Sequence, residues 1–261
     1  MIKISVVIPN FKDPRIDRAL SSVRNQIFSN IEIIVVHGGP LTIELKNIYE
    51  GYLIDKLIIE SDKGIFDALN KGVLNATGDV IYLMGSDDYL SDKFVFQDSI
   101  KLFDSNPSAD GVCMGCVFVN SNGSVIREWF PNKISSKRIK SGIFPPHFSL
   151  FLKKEVYQLV GQFKFESSNN VATDIIWLLD FAILKPNFHI LNLNNHYLAM
   201  EYGGASTGSM KAIIRQFRVV HSYAISNKKH IIFWPIFSVI RSASKLFQFR
   251  LFKKINNLYV N

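Results

Sequence analysis

The chain has 261 residues, 48% of them hydrophobic and 20% charged, which supplies a sizeable core and excludes disorder or collagen-like repetition. Two cysteines exclude a disulfide scaffold and point to a reducing, cytoplasmic setting. The net charge of +8 belongs to one end: residues 211–261 hold ten Lys or Arg and no acid, while the first 210 hold 20 basic and 22 acidic residues.

The opening MIKISVVIPN lacks the apolar run and small-residue cleavage site of a signal peptide and reads as a first strand over Lys3 to Pro9. Asp13-Pro14 then supplies an N-cap and first-turn proline for a helix. Its apolar stripe is Ile16, Ala19, Leu20, Val23 and Ile27, which leaves Arg15, Arg18 and Arg24 off that stripe. Strands are predicted over Ile31 to Val36, closed by Gly38-Gly39-Pro40, over Leu57 to Ile59, and over Asp79 to Met84; a helix is predicted over Ile65 to Asn75. This alternation of strand and helix is the signature of a parallel α/β sheet.

From about Gly111 the pattern changes. Val112 to Asn120 and Ser124 to Phe130, joined by Ser121-Asn122-Gly123, predict a β-hairpin. Lys133 to Pro146 is a basic connection; helices are predicted over Lys154 to Val160 and Thr173 to Leu184, and strand pieces over Phe188 to Leu193 and His196 to Met200. Cys113 and Cys116 form a lone C-x-x-C inside a strand, which suits structural cysteines better than zinc or redox chemistry. His189 and His196 read as structural, and the spacing of Gly64, Gly72 and Gly78 is not a dinucleotide fingerprint. No segment reaches the roughly 20 apolar residues of a membrane-spanning helix.

Asp87-Asp88 carries the most chemistry. The pair follows the fourth predicted strand, and open α/β sheets bind ligands outside the carboxyl ends of their strands. Adjacent carboxylates repel and pack poorly, but they suit a hard cation, Mg2+ or Mn2+, whose other ligands come from phosphates. A solvated turn capping the next helix is the alternative.

The run from Ser61 to Gly72 (SDKGIFDALNKG), followed by Ala76-Thr77-Gly78-Asp79 and Ser86-Asp87-Asp88, resembles the nucleotide-sugar half of family 2 glycosyltransferases, which have the GT-A fold. The strands SVVIPN and EIIVV, Pro145-Pro146-His147, the segment around Asp174 up to Leu178, and Tyr202-Gly203-Gly204-Ala205-Ser206 are similar to that family too, so the likeness spans about residues 3–208. It implies an inverting hexosyl transfer from a nucleoside-diphosphate sugar, UDP first, to a saccharide acceptor. In that light Asp88 would hold Mn2+ or Mg2+ on the diphosphate. Pro9, His37, Asp62, Asn70, Lys71 and Asp87 would form the donor pocket, His147, Gly203 and Gly204 would lie at the cleft, and Asp174 would be the catalytic base. A carboxylate with an ordinary pKa near 3.9 is ionised at neutral pH and can take the acceptor's proton. His37 replaces the acid that usually reads the base after strand two, and Gly85 stands where some relatives carry another acid.

The expected architecture is therefore a GT-A domain over 1–210, with a nucleotide-sugar half (1–110) and an acceptor-side α+β half (111–210), followed by a basic, aromatic-rich helical extension over 211–261. The extension fits a helix lying in the membrane interface, or one whose apolar face docks on the catalytic domain. A nucleic-acid-binding tail would leave the first 210 residues without a purpose. Peripheral contact with the inner face of the cytoplasmic membrane suits a lipid-linked acceptor in surface-polysaccharide biosynthesis. The alternative within the same resemblance is a non-catalytic nucleotide-sugar-binding partner of another transferase.

Overall fold

The β-branched runs form β1 (Ile4–Asn10), β2 (Ile31–His37), β3 (Lys56–Ile59) and β4 (Val80–Leu83), all parallel in the order β3-β2-β1-β4. Every residue of β1 is buried, because helices cover both faces of the sheet. The computed structural model describes residues 1–120, 122–165, 172–201, 218–220 and 222–223.

Alternate strand residues divide the core. Val6, Ile8, Ile33 and Val35 face α1 (Ile16–Arg24), α2 (Ile43–Glu50) and α4 (Val95–Ser105). Val7, Ile34 and Val36 face α3 (Ile65–Asn75), and that layer continues into α5 (Ser136–Lys140), α6 (Lys154–Val160) and α7 (Thr173–Leu184). The remaining strands are β5 (Tyr89–Leu90), β6 (Gly111–Val119), β7 (Val125–Trp129), β8 (Leu150–Lys153) and β9 (Ile190–Glu201). The whole sheet has nine strands in the order β3-β2-β1-β4-β8-β6-β9-β5, with β7 paired to β6. The expected division at Gly111 thus falls at the start of β6, and the sheet runs on through it.

Strand direction places the site. β8 is antiparallel to both β4 and β6, so β6 runs with β4, and β9 runs parallel to β6. The carboxyl ends of β1, β2, β4, β6 and β9 therefore reach one rim. The foot of α7 is pinned at the opposite rim, where Lys185 pairs with Asp110 and the His189 amide donates to the same carboxylate at 2.9 Å. The other end of α7 faces the carboxyl rim: Trp177, one turn past Asp174, meets His147 just ahead of β8, whose start lies beside the carboxyl end of β4.

Two local expectations need correction. Asp13 does not cap α1 directly: its carboxylate accepts from the Arg15 amide at 3.0 Å and from the Arg15 guanidinium, and the helix begins at Ile16. Ile27 does not extend the apolar stripe, because α1 stops at Arg24 and Ile27 is 44% exposed. Gln26 ends the helix by donating to the carbonyls of Ser22 and Asp92 while accepting from the Phe96 amide. The two pieces predicted over Phe188 to Met200 are one strand, β9, with an irregularity at Asn195, whose φ is 68°.

Candidate active site

At the end of β4 the chain turns back on itself. The Asp88 amide donates to the Gly85 carbonyl at 3.3 Å, and the Asp88 carboxylate accepts from the Gly85 amide at 3.1 Å. A Cβ at Gly85 would lie 2.7 Å from one Asp88 oxygen and 3.1 Å from Asp87, so the missing side chain lets both carboxyls fold over this turn. Asp88 is 2% exposed, and burial, reinforced by the neighbouring Asp87 charge, pushes its pKa up to about 8. Asp87 is partly open to solvent; burial raises its pKa, and Arg15 pulls the other way.

Asp62 is brought to the same rim by a different close approach. A Cβ on Gly38, just past β2, would lie 2.0 Å from Asp62 Oδ2, so the carboxylate sits directly on that glycine. Asp62 Oδ1 also accepts from the Gly64 amide at 2.9 Å. Pro9 is buried near the end of β1, in register with Val36.

Three other expected donor residues turn inwards to the protein. His37 is fully buried; Nδ1 meets Tyr49 Oη at 3.0 Å and Nε2 meets the Pro40 carbonyl at 3.3 Å. Tyr49 Oη also accepts from Asn10 at 2.7 Å, so the histidine braces the ends of β1 and β2 and has no free ring nitrogen. Asn70 Nδ2 donates to the Phe163 carbonyl at 2.9 Å and its Oδ1 accepts from the Phe163 amide at 2.8 Å. Lys71 donates to the Ser61 carbonyl at 2.8 Å and pairs with Glu60 and Asp67. Asn70 thereby joins the two halves, and Lys71 holds the loop that carries Asp62. The A-T-G-D part of the motif lies at the opposite rim, where Thr77 bonds Glu32 through its amide and hydroxyl.

Phe163 leads from Asn70 to the acceptor side. Its ring lies 5.5 Å from Phe66, 5.2 Å from His147 and 5.4 Å from Trp177, one turn past Asp174 on α7. His147 is buried against Phe163 and Trp177, neither ring nitrogen has a hydrogen-bond partner among the described residues, and burial lowers its pKa to about 3. Its imidazole is neutral. Asp174 is partly exposed in the first turn of α7, where the helix dipole favours its negative charge. Gly203, Gly204 and most of the extension lie outside the described residues.

Sequence reasoning passed over Arg15, Arg18 and Glu201, which meet beside Asp87. Arg15 Nη1 donates to Glu201 Oε2 at 2.7 Å, and Arg18 Nη2 donates to the Asp87 carbonyl at 2.7 Å. The available signal was the placing of two arginines off the apolar stripe at one end of α1. Cys113 and Cys116 are buried in β6.

Among the described residues, no group of three or more His, Cys, Asp or Glu could hold a metal by itself. The two carboxyls of Asp87 and Asp88 suit a hard cation that keeps one or two protein carboxylates and takes phosphate and water for the rest. Asp88, buried and resisting ionisation, is a group that such a cation would relieve of its proton.

A family model described as Glycosyl transferase family 2 matches residues 5–159. The chain is 23% identical over 251 residues to an uncharacterized glycosyltransferase of Methanocaldococcus jannaschii, covering 90% of this chain and 84% of that one. It is similar to the crystal structure of S. aureus TarS at TM-score 0.60 and 19% identity over 84% of this chain, which spans 40% of that one; the 1–349 portion of TarS has been solved in complex with UDP-GlcNAc. It is also similar to mannosyltransferase PcManGT from Pyrobaculum calidifontis in complex with GDP-Man and Mn2+, at TM-score 0.61 and 16% identity over 100% of this chain and 81% of that one. These likenesses show a GT-A-like α/β fold with a curled mixed sheet.

Proposed function

Because the chain belongs to glycosyl transferase family 2, we propose that it is an inverting, metal-dependent hexosyltransferase that uses a nucleoside-diphosphate sugar and a saccharide acceptor. The observation that carries this reading is the pairing of buried Asp88 with Asp87 at the carboxyl rim, the rim towards which α7 directs Asp174. Asp88, with Asp87 beside it, would hold Mn2+ or Mg2+. When bound, the cation supplies Lewis-acid stabilisation of the charge that develops on the departing diphosphate.

The chain's own residues do the rest. Pro9 and Asp62 line the nucleotide side, and Asp62 is held still by Gly38 and the Gly64 amide. Asp174 takes the proton from the acceptor hydroxyl as that oxygen attacks the anomeric carbon from the face opposite the diphosphate, which inverts the configuration. His147, neutral and walled by rings, keeps water and charge away from the acceptor side next to α7.

UDP is the first donor to try, with GDP next, since solved structures of this fold hold UDP-GlcNAc or GDP-Man. We place the acceptor among lipid-linked saccharides of surface-polysaccharide biosynthesis at the inner face of the cytoplasmic membrane. The support is compositional: residues 211–261 interleave ten cations with nine aromatics. No helix among the described residues is long and apolar enough to cross a membrane.

The test is transfer from UDP- and GDP-sugars with Mn2+ to saccharide acceptors, using wild type and Asp174→Asn. Loss of a general base should lower kcat by about 10²–10⁴-fold while nucleotide binding persists. Equal turnover by the two proteins would remove Asp174 from the base role, and binding without turnover by wild type would favour a non-catalytic partner.

A further inference from the structure

Arg15 stands at the N-cap of α1 and Arg18 in its first turn, where the helix dipole disfavours positive charge. Helix stability therefore does not account for them. The two residues are three apart and share one face. Arg15 is gripped by Asp13 through two guanidinium nitrogens, at 2.9 and 2.6 Å, and reaches Glu201 at 2.7 Å and the Asp87 carboxylate at 3.8 Å. Arg18 donates to the Asp87 carbonyl at 2.7 Å, lies 3.8 Å from Glu201 and stacks over the Tyr89 ring at 4.3 Å. Asp87 is thus held twice, by its backbone and by its carboxylate, from two arginines that share Glu201.

Glu201 is the last residue of β9, on the acceptor side, and in sequence it directly precedes Tyr202-Gly203-Gly204. Tyr89 pairs with Ala199 of the same strand. The cluster therefore ties three pieces together: the start of α1, the turn that carries Asp87 and Asp88, and the end of β9. Ion pairs this open to solvent, with the arginine side chains 46% and 44% exposed, contribute little to global stability. What they can fix is position.

We infer that Arg15, Arg18 and Glu201 form a latch that sets the orientation of Asp87 and couples the donor site to the end of β9. None of the three would touch the reacting atoms; they are positioning residues. The inference rests on the reading of Asp87 as part of the donor site.

The experiment compares wild type, Arg18→Ala, Arg18→Lys and Glu201→Gln in the full chain. Amide hydrogen exchange over residues 85–90 reads the latch without any ligand, and calorimetric titration of UDP and of GDP, each with Mn2+, reads the site. Arg18→Ala should speed exchange over 85–90 by about tenfold and weaken Mn2+-dependent nucleotide binding by about tenfold, with little change in Tm. Glu201→Gln should move both in the same direction by less, and Arg18→Lys should recover part of the loss. Unchanged exchange in Arg18→Ala overturns the latch, as does a drop in Tm large enough to account for the faster exchange. If wild type binds neither nucleotide with Mn2+, the donor-site reading fails and the exchange measurement alone decides whether the latch exists.

Discussion

The proposed donor and acceptor sides are built by opposite means. On the donor side, carboxylates come close because side chains are missing: Asp62 lies on Gly38, and Asp87 and Asp88 fold over Gly85. On the acceptor side, space is filled by rings, with Phe163, Trp177, Tyr157 and Phe181 packed around or beyond His147. Two buried histidines make the contrast plain. His37 has partners on both nitrogens, whereas His147 has none on either among the described residues. The donor side is a polar network that needs a counter-charge. Around His147 the wall is made of rings, and burial keeps that imidazole neutral.

That contrast breaks most readily at Asp88. Groups that merely support a metal ligand typically contribute 10–100-fold to affinity, so Asp88→Asn should weaken Mn2+-dependent nucleotide binding by at least about 100-fold, or about 2.7 kcal/mol. The ion-free variant should not lose stability, because a neutral amide replaces a buried carboxyl whose pKa stands at about 8. Thermal melts with and without Mn2+ check both halves of this statement. A variant that still gains stability from Mn2+ plus nucleotide would move the cation away from Asp88.

Asn70 is where the two halves meet. Asn70→Ala removes both hydrogen bonds to the Phe163 backbone and should cost about 2 kcal/mol, read from the midpoint of urea unfolding. If Asn70 instead contacts donor, the variant will unfold like wild type and lose nucleotide affinity, which would erase the distinction drawn here between residues that bind and residues that join.

The four parallel strands, α1 and α3 of the first half were legible because apolar period and turn residues agree, as in Ile31–His37 and Ile65–Asn75, whereas α2 (Ile43–Glu50) went unread. The paired acids were legible because two carboxylates at a strand end have little packing use. The partners of Asn70 and Lys71 were not, because motif order cannot say which way a side chain turns: the Phe163 backbone and the Ser61 carbonyl come from tertiary folding. The latch was hidden for the same reason, since Arg15 and Glu201 are 186 residues apart. α4 went unread despite its apolar stripe of Val95, Phe96, Ile100 and Phe103, for want of a side-chain cap at Phe94.

His147 sharpens the comparison through pH. Its folded pKa, about 3, lies below the ordinary 6.5, so between those values the unfolded chain takes up a proton that the folded chain refuses. The stability tied to this group is complete above pH 6.5 and declines as pH falls towards 3. Between pH 6.5 and 5.5 the share lost should be about 1 kcal/mol, and His147→Leu, which cannot titrate, should retain it. Melts of both proteins across that interval give the difference directly. Parallel curves would mean that His147 finds a proton acceptor in solution and that the wall is not dry.

The smallest effect concerns where the acceptor half ends. The expected boundary at residue 210 leaves everything beyond it as an extension, yet Val220 is 4% exposed and packs in the same core as α7, with Val219 and Tyr223 against it. Tyr223 Oη donates to the Asp180 carboxylate, which is 8% exposed, from the far side of that helix. α7 is apolar almost throughout, so it needs cover on every face, and Val219, Val220 and Tyr223 contribute part of it. Tyr223→Phe keeps the ring and removes only the donor, so it should cost about 1 kcal/mol. A loss of that size would carry the folded core past residue 210, as far as Tyr223. No loss would return residues 218–223 to the extension and leave α7 to be covered by other means.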